Sequence, residues 1–302
     1  MTATPSQTGH AHVADNLRGA MLMTVSMAGF ALNDGMIKMA MQALPLFPAI
    51  LLRGLLMCAL LALLCLATGA FRTRPSGRDR RLIGMRALAE LGGTLCFLTA
   101  LNNMPIASAT ALLQSLPLAV TLAAALFLGE QVGWRRGAAL LIGFVGVLLI
   151  VRPGADSFNA YAMAALAAVC FIVIRDLTTR RLSPGIPSTL VALSTALAVT
   201  GAAGIGSLFV EWPPITGATL GWTFAASCFL IVGYLAGVAT MRTGEIAFVS
   251  PFRYSILIFA GLLGIVLFDE IPDSLTFAGA ALIVGSGLFT FWREQRVAAR
   301  IR

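Results

Sequence analysis

Charged residues are scarce in this sequence, since Asp, Glu, Lys and Arg together make up 11% of its 302 residues. Soluble domains carry about 25% of such residues, so a purely soluble protein is excluded. Hydrophobic residues make up 58% of the chain. They are grouped in runs of about 20, the length that a helix needs to cross ~30 Å of hydrocarbon. The composition therefore predicts an all-α polytopic membrane protein without room for a separate soluble domain.

Lysine and histidine are nearly absent as well. Lys38 is the only lysine among 21 basic residues, and both histidines, His10 and His12, lie in the polar N-terminal tail. The formal net charge of +8 would suit nucleic acid. However, the arginines lie mostly in short links between apolar runs, and no basic stretch contains interleaved aromatic residues. We therefore expect no nucleic-acid partner and no metal site.

The sequence also lacks the residue sets on which most catalysis depends. It has no phosphate-binding Walker loop and no Ser/His/Asp or Cys/His set. Its five cysteines stand apart inside apolar runs, as small hydrophobic residues do: Cys58, Cys65, Cys96, Cys170 and Cys228. An enzyme that acts on lipid would need an acid, histidine or metal cluster, and a channel would need a charged ring or filter motif. The prediction is a protein without catalytic residues or cofactor.

Ten apolar runs follow an N-terminal tail of residues 1–16, which we expect to be disordered. They cover residues 17–40, 47–69, 82–102, 105–128, 137–151, 159–178, 187–210, 219–241, 246–268 and 275–292. Proline and glycine punctuate the links between the runs, as expected for turns. The fifth run is short, and a C-terminal tail of residues 293–302 follows the tenth.

Positive charge alternates from one link to the next. One set of links, together with both chain ends, holds most of the arginines: Arg18, Arg72, Arg74, Arg78, Arg80, Arg81, Arg135, Arg136, Arg175, Arg180, Arg181, Arg242, Arg293, Arg296, Arg300 and Arg302. The opposite set holds Arg152 and several acids. The positive-inside rule then places both termini in the cytoplasm, which requires an even number of spans, such as ten. We expect a multi-pass protein of a bacterial inner membrane.

An internal repeat divides the chain into residues 17–152 and 159–292. Ile106-Ala107 is followed 23 residues later by Glu130, and Ile246-Ala247 is followed 23 residues later by Glu270. A Gly-Ala-Ala-Leu stretch comes after each Glu. Each unit holds five spans, and an odd number inserts the second copy upside down, as in the inverted repeats of secondary carriers.

These paired segments resemble the EamA-type branch of the drug/metabolite transporter superfamily. The resemblance covers about residues 17–292 and rests on Ile-Ala…Gly129-Glu130…Gly146, Ile246-Ala247…Asp269-Glu270…Gly279 and Arg53. It implies ten helices in two inverted five-helix repeats around a central cavity. It also implies secondary transport of a small organic metabolite without nucleotide hydrolysis. The second unit has Asp269 at the position where the first unit has Gly129, and this difference leaves the expected function unchanged.

Within that family, two segments resemble the riboflavin-uptake branch: Asn33-Asp34, and Asn-Leu-Arg-Gly-Ala at residues 16–20. The resemblance makes riboflavin uptake the first substrate hypothesis. An exporter of amino acids, other metabolites or drugs and an S-adenosylmethionine carrier are the alternatives that stay open, as does the direction of transport. The sequence does not predict the oligomeric state.

Charge inside a bilayer costs at least ~2.5–3.5 kcal/mol per residue, so each charge there needs a partner or a wet cavity. The helical rise of 1.5 Å per residue puts Asp34 level with Arg53, and Glu90 level with Arg253. These depths predict two ion pairs, with Asp34–Lys38 and Arg86–Glu90 as the alternatives within one helix. Asp34 and Glu90 are also the acids that could take up a proton if transport is coupled to protons, a question that the sequence leaves open.

Two apolar runs are interrupted by proline at matched positions of the two units. Pro117 follows Gln114 in the fourth run, and Ser250-Pro251 precedes Arg253 and Tyr254 in the ninth. Matched breaks point to a binding site, although a packing kink is the alternative. Tyr234 and Tyr254 would stack on an aromatic ligand. The predicted substrate-binding set is Asn33, Asp34, Arg53, Glu90, Gln114, Tyr234, Arg253 and Tyr254.

Overall fold

The computed structural model describes residues 5–128, 133–153, 160–240, 243 and 246–301. Helices account for most of these residues, and the described part contains no β-strand. Glu130, the first acid of the repeat, lies outside the described residues. The all-α fold class predicted from composition is confirmed.

Twelve helices follow one another along the described chain. They are α1 (Pro5–Met41), α2 (Leu46–Thr68), α3 (Gly77–Asn103), α4 (Ile106–Leu113), α5 (Leu116–Leu128), α6 (Trp134–Val151), α7 (Tyr161–Arg180), α8 (Ser188–Ser207), α9 (Gly217–Thr240), α10 (Ile246–Val249), α11 (Ile256–Phe268) and α12 (Ser274–Ile301). Two 3-10 turns, Ala70–Arg72 and Ser250–Ser255, join neighbouring helices. Helices α1 and α12 extend into the segments that the sequence assigned to the two tails.

Nine segments of the described chain are long and apolar enough to cross a membrane. Helices α4 and α5 contribute one of them jointly, Ile106–Ala123, and the turn Ser250–Ser255 continues into α11 to form another. The remaining apolar helix, Gly137–Val151, is shorter and matches the short fifth run. Large hydrophobic side chains such as Leu63, Leu141 and Phe209 are exposed on the outside of the bundle. A soluble protein would bury such side chains, whereas lipid accommodates them.

Proline breaks the fourth and ninth apolar runs, as the sequence predicted. The gap between α4 and α5 falls at Gln114–Ser115, just before Pro117, and Pro251 lies in the turn between α10 and α11. Proline has no backbone N–H, so it removes one hydrogen bond from the helix that contains it. Both breaks face each other in the bundle, because α4 packs against α11.

Four helix pairs make the most extensive contacts in the bundle: α1 with α9, α3 with α7, α2 with α8, and α6 with α12. Glycine allows two of these pairs to approach closely. A Cβ added at Gly29 of α1 would lie 2.8 Å from the backbone nitrogen of Gly233 in α9. A Cβ added at Gly146 of α6 would lie 2.7 Å from the carbonyl oxygen of Gly279 in α12. Small residues at such crossings are typical of membrane helices.

Two of the arginine-rich links meet at one end of the bundle. Asp79, at the start of α3, accepts hydrogen bonds from Ser183 N at 3.1 Å and from Ser183 Oγ at 3.0 Å. Ser76 caps α3 by accepting a bond from Asp79 N. The links 69–76 and 181–187 therefore lie on the same side, as the alternation of charge predicted.

Candidate functional site

A cavity of about 430 Å³ lies among α1, α2, α3, α7, α8 and α9. Much of its wall is apolar, but five charged side chains line it: Arg53, Arg86, Glu90, Arg175 and Asp176. Phe30 and Tyr234 supply aromatic surface. The cavity reaches Thr179, next to the end of α7, and Ile50, near the start of α2. It therefore runs along a large part of these helices.

Arg175 of α7 holds two carboxylates of the cavity wall. Its Nη1 lies 3.3 Å from Glu90 Oε2, and its Nε lies 2.9 Å from Asp176 Oδ1. Glu90 thus pairs with Arg175, and the predicted pair with Arg253 is wrong, because Arg253 lines a different pocket. The sequence placed Arg175 in a link, whereas α7 continues through it to Arg180.

Arg86 lines the cavity one helical turn before Glu90 on α3. Its Nε donates to Thr179 Oγ1 at 2.9 Å, and its Nη1 donates to Thr195 Oγ1. Both partners are neutral hydroxyls from α7 and α8. Arg86 forms no ion pair within the described residues. The i,i+4 alternative for Arg86 and Glu90 is therefore not realised as a contact.

Arg53 reaches Asp34 through Asn33. Arg53 Nη1 donates to Asn33 Oδ1 at 3.4 Å, and Asn33 Nδ2 donates to Asp34 Oδ1 at 2.9 Å. Asn33 is buried, with 3% of its surface exposed. The predicted Asp34–Arg53 ion pair is therefore not formed directly, because the amide of Asn33 lies between the two charged groups. Asp34 and Asn33 stand behind Arg53 rather than on the cavity wall.

Gln114, Arg253 and Tyr254 line a second and smaller pocket of 190 Å³, beside the two proline breaks. Gln114 Nε2 donates to the carbonyl oxygen of Arg253 at 3.4 Å. The predicted substrate-binding set is therefore divided. Arg53, Glu90 and Tyr234 line the cavity of about 430 Å³, and Gln114, Arg253 and Tyr254 line this pocket. Asn33 and Asp34 line neither of the two.

Lys38 and Glu270 form a contact that the sequence did not predict. Lys38 Nζ lies 2.6 Å from Glu270 Oε1 and 2.8 Å from the carbonyl oxygen of Met104. Glu270 Oε2 accepts the backbone N–H of Ile106 at 2.8 Å. The alternative pairing of Lys38 with Asp34 is wrong, because Lys38 turns to the link after α11. The repeat motif did contain a clue, since Ile106 and Glu270 are both among its matched residues.

No group of three or more His, Cys, Asp and Glu side chains within the described chain is arranged to hold a metal ion. The charged wall of the cavity can instead form hydrogen bonds and ion pairs with a small polar solute. Guanidinium groups bind carboxylates with two parallel bonds, and carboxylates bind ammonium groups. The arrangement suits reversible binding rather than bond breaking.

Comparison with known proteins identifies transporters as relatives of this chain. Residues 17–152 match the model of the EamA-like transporter family. The riboflavin transporter of Rhizobium johnstonii is 30% identical over 239 residues, which cover 76% of this chain and 75% of that protein. The S-adenosylmethionine uptake transporter of Rickettsia bellii is 26% identical over 219 residues, which cover 72% and 74%.

A third relative is named an exporter. The pseudopaline exporter CntI of Pseudomonas aeruginosa is 27% identical over 272 residues, which cover 88% of this chain and 93% of that protein. The fold is also similar to that of a solved crystal structure, with a TM-score of 0.63 and 20% identity. That similarity covers 92% of this chain and 98% of the other.

Proposed function

The chain belongs to the EamA-like transporter family of the drug/metabolite transporter superfamily, and we propose that it is a secondary carrier. It moves a small organic metabolite across the bacterial inner membrane by alternating access. The observation that supports this most directly is the cavity of about 430 Å³ with five charged side chains, enclosed by otherwise apolar helices. Charge at such a place is costly unless it serves a solute or an ion pair.

We further propose that the ten apolar segments form two inverted repeats of five. Exchange of the halves turns the most extensive helix contacts into other observed contacts. The pair α1–α9 becomes α7–α3, and α1–α11 becomes α7 with α4 and α5. The pairs α2–α8, α4–α11 and α6–α12 each become themselves. This exchange rule supports a two-fold axis between the halves. An odd number of spans in each half would place that axis in the membrane plane, which is the geometry of inverted repeats.

Both termini lie in the cytoplasm in this proposal. The contact of Asp79 with Ser183 joins two arginine-rich links at one end of the bundle. The charged cavity of about 430 Å³ approaches that end at Thr179. The Lys38–Glu270 ion pair lies near the opposite end of α1, where it joins α1, the start of α4 and the end of α11. These positions favour a form that is open toward the cytoplasm and closed on the other side.

For the transported solute we propose candidates in order of support. Riboflavin uptake stays the first hypothesis that the sequence offers, and a relative named a riboflavin transporter supports it. An S-adenosylmethionine carrier is the second candidate, since a relative with that name covers a similar part of the chain. The relative named an exporter keeps the opposite direction of transport as an alternative.

Transport of riboflavin can be tested by growth rescue of a riboflavin auxotroph that lacks its own uptake system. Full-length protein should restore growth on low riboflavin, and Arg53→Ala should abolish the rescue at equal expression. Absence of rescue with well-expressed wild-type protein would reject riboflavin uptake. Proton coupling through Asp34 or Glu90 would be rejected if the transport rate does not depend on pH and if both Asp34→Asn and Glu90→Gln still transport.

A further inference from the structure

We infer that an acyl chain of a membrane phospholipid occupies an apolar slot between α5 and α7, and that the phosphate of this lipid lies beside Arg181. The slot has a volume of about 530 Å³, and residues of α5, α6 and α7 form most of its wall. It shares no described residue with the charged cavity. This lipid site goes beyond the proposed transport, and it does not depend on the identity of the solute.

The slot and the charged cavity lie on different sides of α7. Asp176 and Thr179 line the cavity, whereas Val173 and Ile174 line the slot. On the opposite wall, Leu126 of α5 is 69% exposed, and Ile174 is 46% exposed. The slot is therefore open to the outside of the bundle, where the surroundings are lipid.

The described wall of the slot offers little to a polar solute or to water. Ser115 and Cys170 carry its polar groups, and Ser115 Oγ already donates to the carbonyl oxygen of Leu112 at 2.6 Å. The rest of the wall is aliphatic apart from Phe144. A trapped water needs two to four polar partners, so water is not held there. An empty gap would lose dispersion contacts, and the surrounding membrane supplies a chain that restores them.

The length of the slot matches one leaflet of a bilayer. Its wall on α5 runs from Ser115 to Leu126, which is about 16 Å at 1.5 Å per residue. Half of the ~30 Å hydrocarbon core is about 15 Å. Leu126 lies near the end of α5, and Ile174 lies before the end of α7, so the slot reaches from the middle of the bundle to its arginine-rich end. One extended acyl chain of that leaflet fits this length.

The internal repeat gives the reason for the slot in the sequence. In the register of the repeat, Ala119 and Ala123 of α5 correspond to Phe259 and Leu263 of α11. Leu263 packs against α1, the counterpart of α7, because a Cβ added at Gly35 would lie 3.4 Å from Leu263 Cδ1. The large side chain fills the space between α11 and α1. The small side chain of Ala123 leaves the equivalent space between α5 and α7 open.

An arginine follows the slot on the same side of α7. Arg181 comes two helical turns after Ile174, so the two residues share one face of the helix, about 11 Å apart. Arg181 is exposed and forms no ion pair within the described part of the chain. Guanidinium groups bind phosphate with charge-assisted hydrogen bonds, and basic residues at a membrane surface attract anionic lipids. The slot and Arg181 therefore suit the two parts of one phospholipid, a chain and a phosphate.

Photo-crosslinking of the full-length protein in nanodiscs tests this inference. The probe is phosphatidylglycerol with a diazirine near the end of one acyl chain, diluted into phosphatidylcholine. After irradiation and proteolysis, mass spectrometry locates the labelled residues. Label should be at least fivefold higher at Ala119 and Cys170 than around Ala59, which is exposed near the middle of α2 and outside the slot. Equal labelling of the slot and of α2 would overturn the inference.

Variants that fill the slot separate a bound chain from the surrounding lipid. Ala123→Trp should lower the label in the slot at least fivefold, because the indole takes the place of the chain. Ala123→Leu, a milder change to the residue of the other unit, should lower it at least twofold. Ala59→Trp is the matched control and should leave the label in the slot unchanged. Full labelling in folded Ala123→Trp or Ala123→Leu would contradict the inference, as would cross-linking of benzoylphenylalanine at Leu126 to a second copy of this chain.

The phosphate is tested with a diacylglycerol that carries the same diazirine chain and no phosphate. It should label the slot at least threefold less than the phosphatidylglycerol probe does. Arg181→Gln should lower labelling by phosphatidylglycerol to a similar extent, whereas Arg72→Gln, which removes another exposed arginine, should have no effect. Equal labelling by the two probes, or full labelling in Arg181→Gln, would show that no phosphate is held at Arg181 and would overturn the inference.

Discussion

Lys38 Nζ lies 2.6 Å from Glu270 Oε1, although 232 residues separate them in the sequence. The ammonium group also donates to the carbonyl of Met104, and the carboxylate accepts the N–H of Ile106. One ion pair thus satisfies two backbone groups at the turn between α3 and α4. It ties α1 of the first half to the end of α11 in the second half.

Removal of one partner of this ion pair should destabilise the protein strongly. The Glu270 side chain is 22% exposed, so Glu270 alone would keep a partly desolvated charge, and the cost should be at most the roughly 3–5 kcal/mol of a fully buried pair. Lys38→Met should therefore lower the midpoint of thermal unfolding in detergent well below that of the wild type. The double variant Lys38→Met/Glu270→Gln should recover part of the loss, because it leaves no isolated charge. Equal midpoints for the single variant and the wild type would contradict this account.

The crossing of α6 and α12 should tolerate no side chain at Gly279. A Cβ there would lie 2.6 Å from the carbonyl oxygen of Gly146, so the two backbones would have to separate. Gly279→Ala should cost about 1–3 kcal/mol or more, the usual range for overpacking. Gly285→Ala on the same helix is the matched control, because a Cβ there meets nothing within 4 Å. Fluorescence-detected size exclusion after heating compares the two variants, and equal survival would refute the prediction.

Loss of Arg175 should abolish solute transport without loss of the folded protein. Arg175→Gln leaves Glu90 and Asp176 facing each other without the guanidinium between them, and like charges repel. We expect uptake to fall at least tenfold in proteoliposomes at equal reconstitution. Arg72→Gln should transport as the wild type does, since Arg72 is exposed in a link. Full transport by Arg175→Gln would show that the contacts of Arg175 with Glu90 and Asp176 are not needed for transport.

Stability at low pH should depend on Asp273, which lies before α12 and outside the apolar segments. Its hydrogen bond and ion pair with Arg152 lower the pKa of its carboxyl from 3.8 to about 2. A lowered pKa means that this contribution is present above pH 3.8 and is lost as the pH falls through 2. Because its side chain is 49% exposed, the contribution should be at most about 1 kcal/mol.

Asp273→Asn isolates that charge effect. Asparagine can still accept the N–H of Thr276, which Asp273 Oδ1 accepts at 3.0 Å, so the start of α12 stays capped. The wild type should unfold at a higher temperature than the variant at pH 6, and the difference should shrink below pH 3.8 and vanish below pH 2. A difference that is constant from pH 6 to pH 2 would contradict the role of the charge.

The proposed topology predicts that both ends of the chain are cytoplasmic. Green fluorescent protein fused after Arg302 should be fluorescent, and alkaline phosphatase fused at the same place should be inactive. Fusions in the link between α9 and α10 should give the same two results. A phosphatase fusion after Arg152, in contrast, should be active. Inactive phosphatase at Arg152 or active phosphatase at the C-terminus would overturn the inverted-repeat arrangement.

The sequence by itself determined the helical class, the approximate segments and the places where two of them break. Those features depend on local properties: runs of apolar residues long enough to cross hydrocarbon, and proline, which lacks an N–H. The breaks at Pro117 and Pro251 could therefore be read directly from the chain. The equal depth of Asp34 and Arg53 was also accessible, because it follows from a fixed rise per residue in neighbouring antiparallel helices. The place of the Asn33 amide between them was not.

Only the tertiary structure decided which charges meet between distant helices. Equal depth suggested Arg253 for Glu90, yet α3 packs on α7, and Arg175 lies there instead. Depth gives the position of a side chain along the membrane normal. Its position in the plane of the membrane depends on the order of the helices around the bundle. The Lys38–Glu270 ion pair likewise depends on the contact of α1 with α11. No local pattern determines that contact, because it is set by the packing of side chains from both halves of the chain.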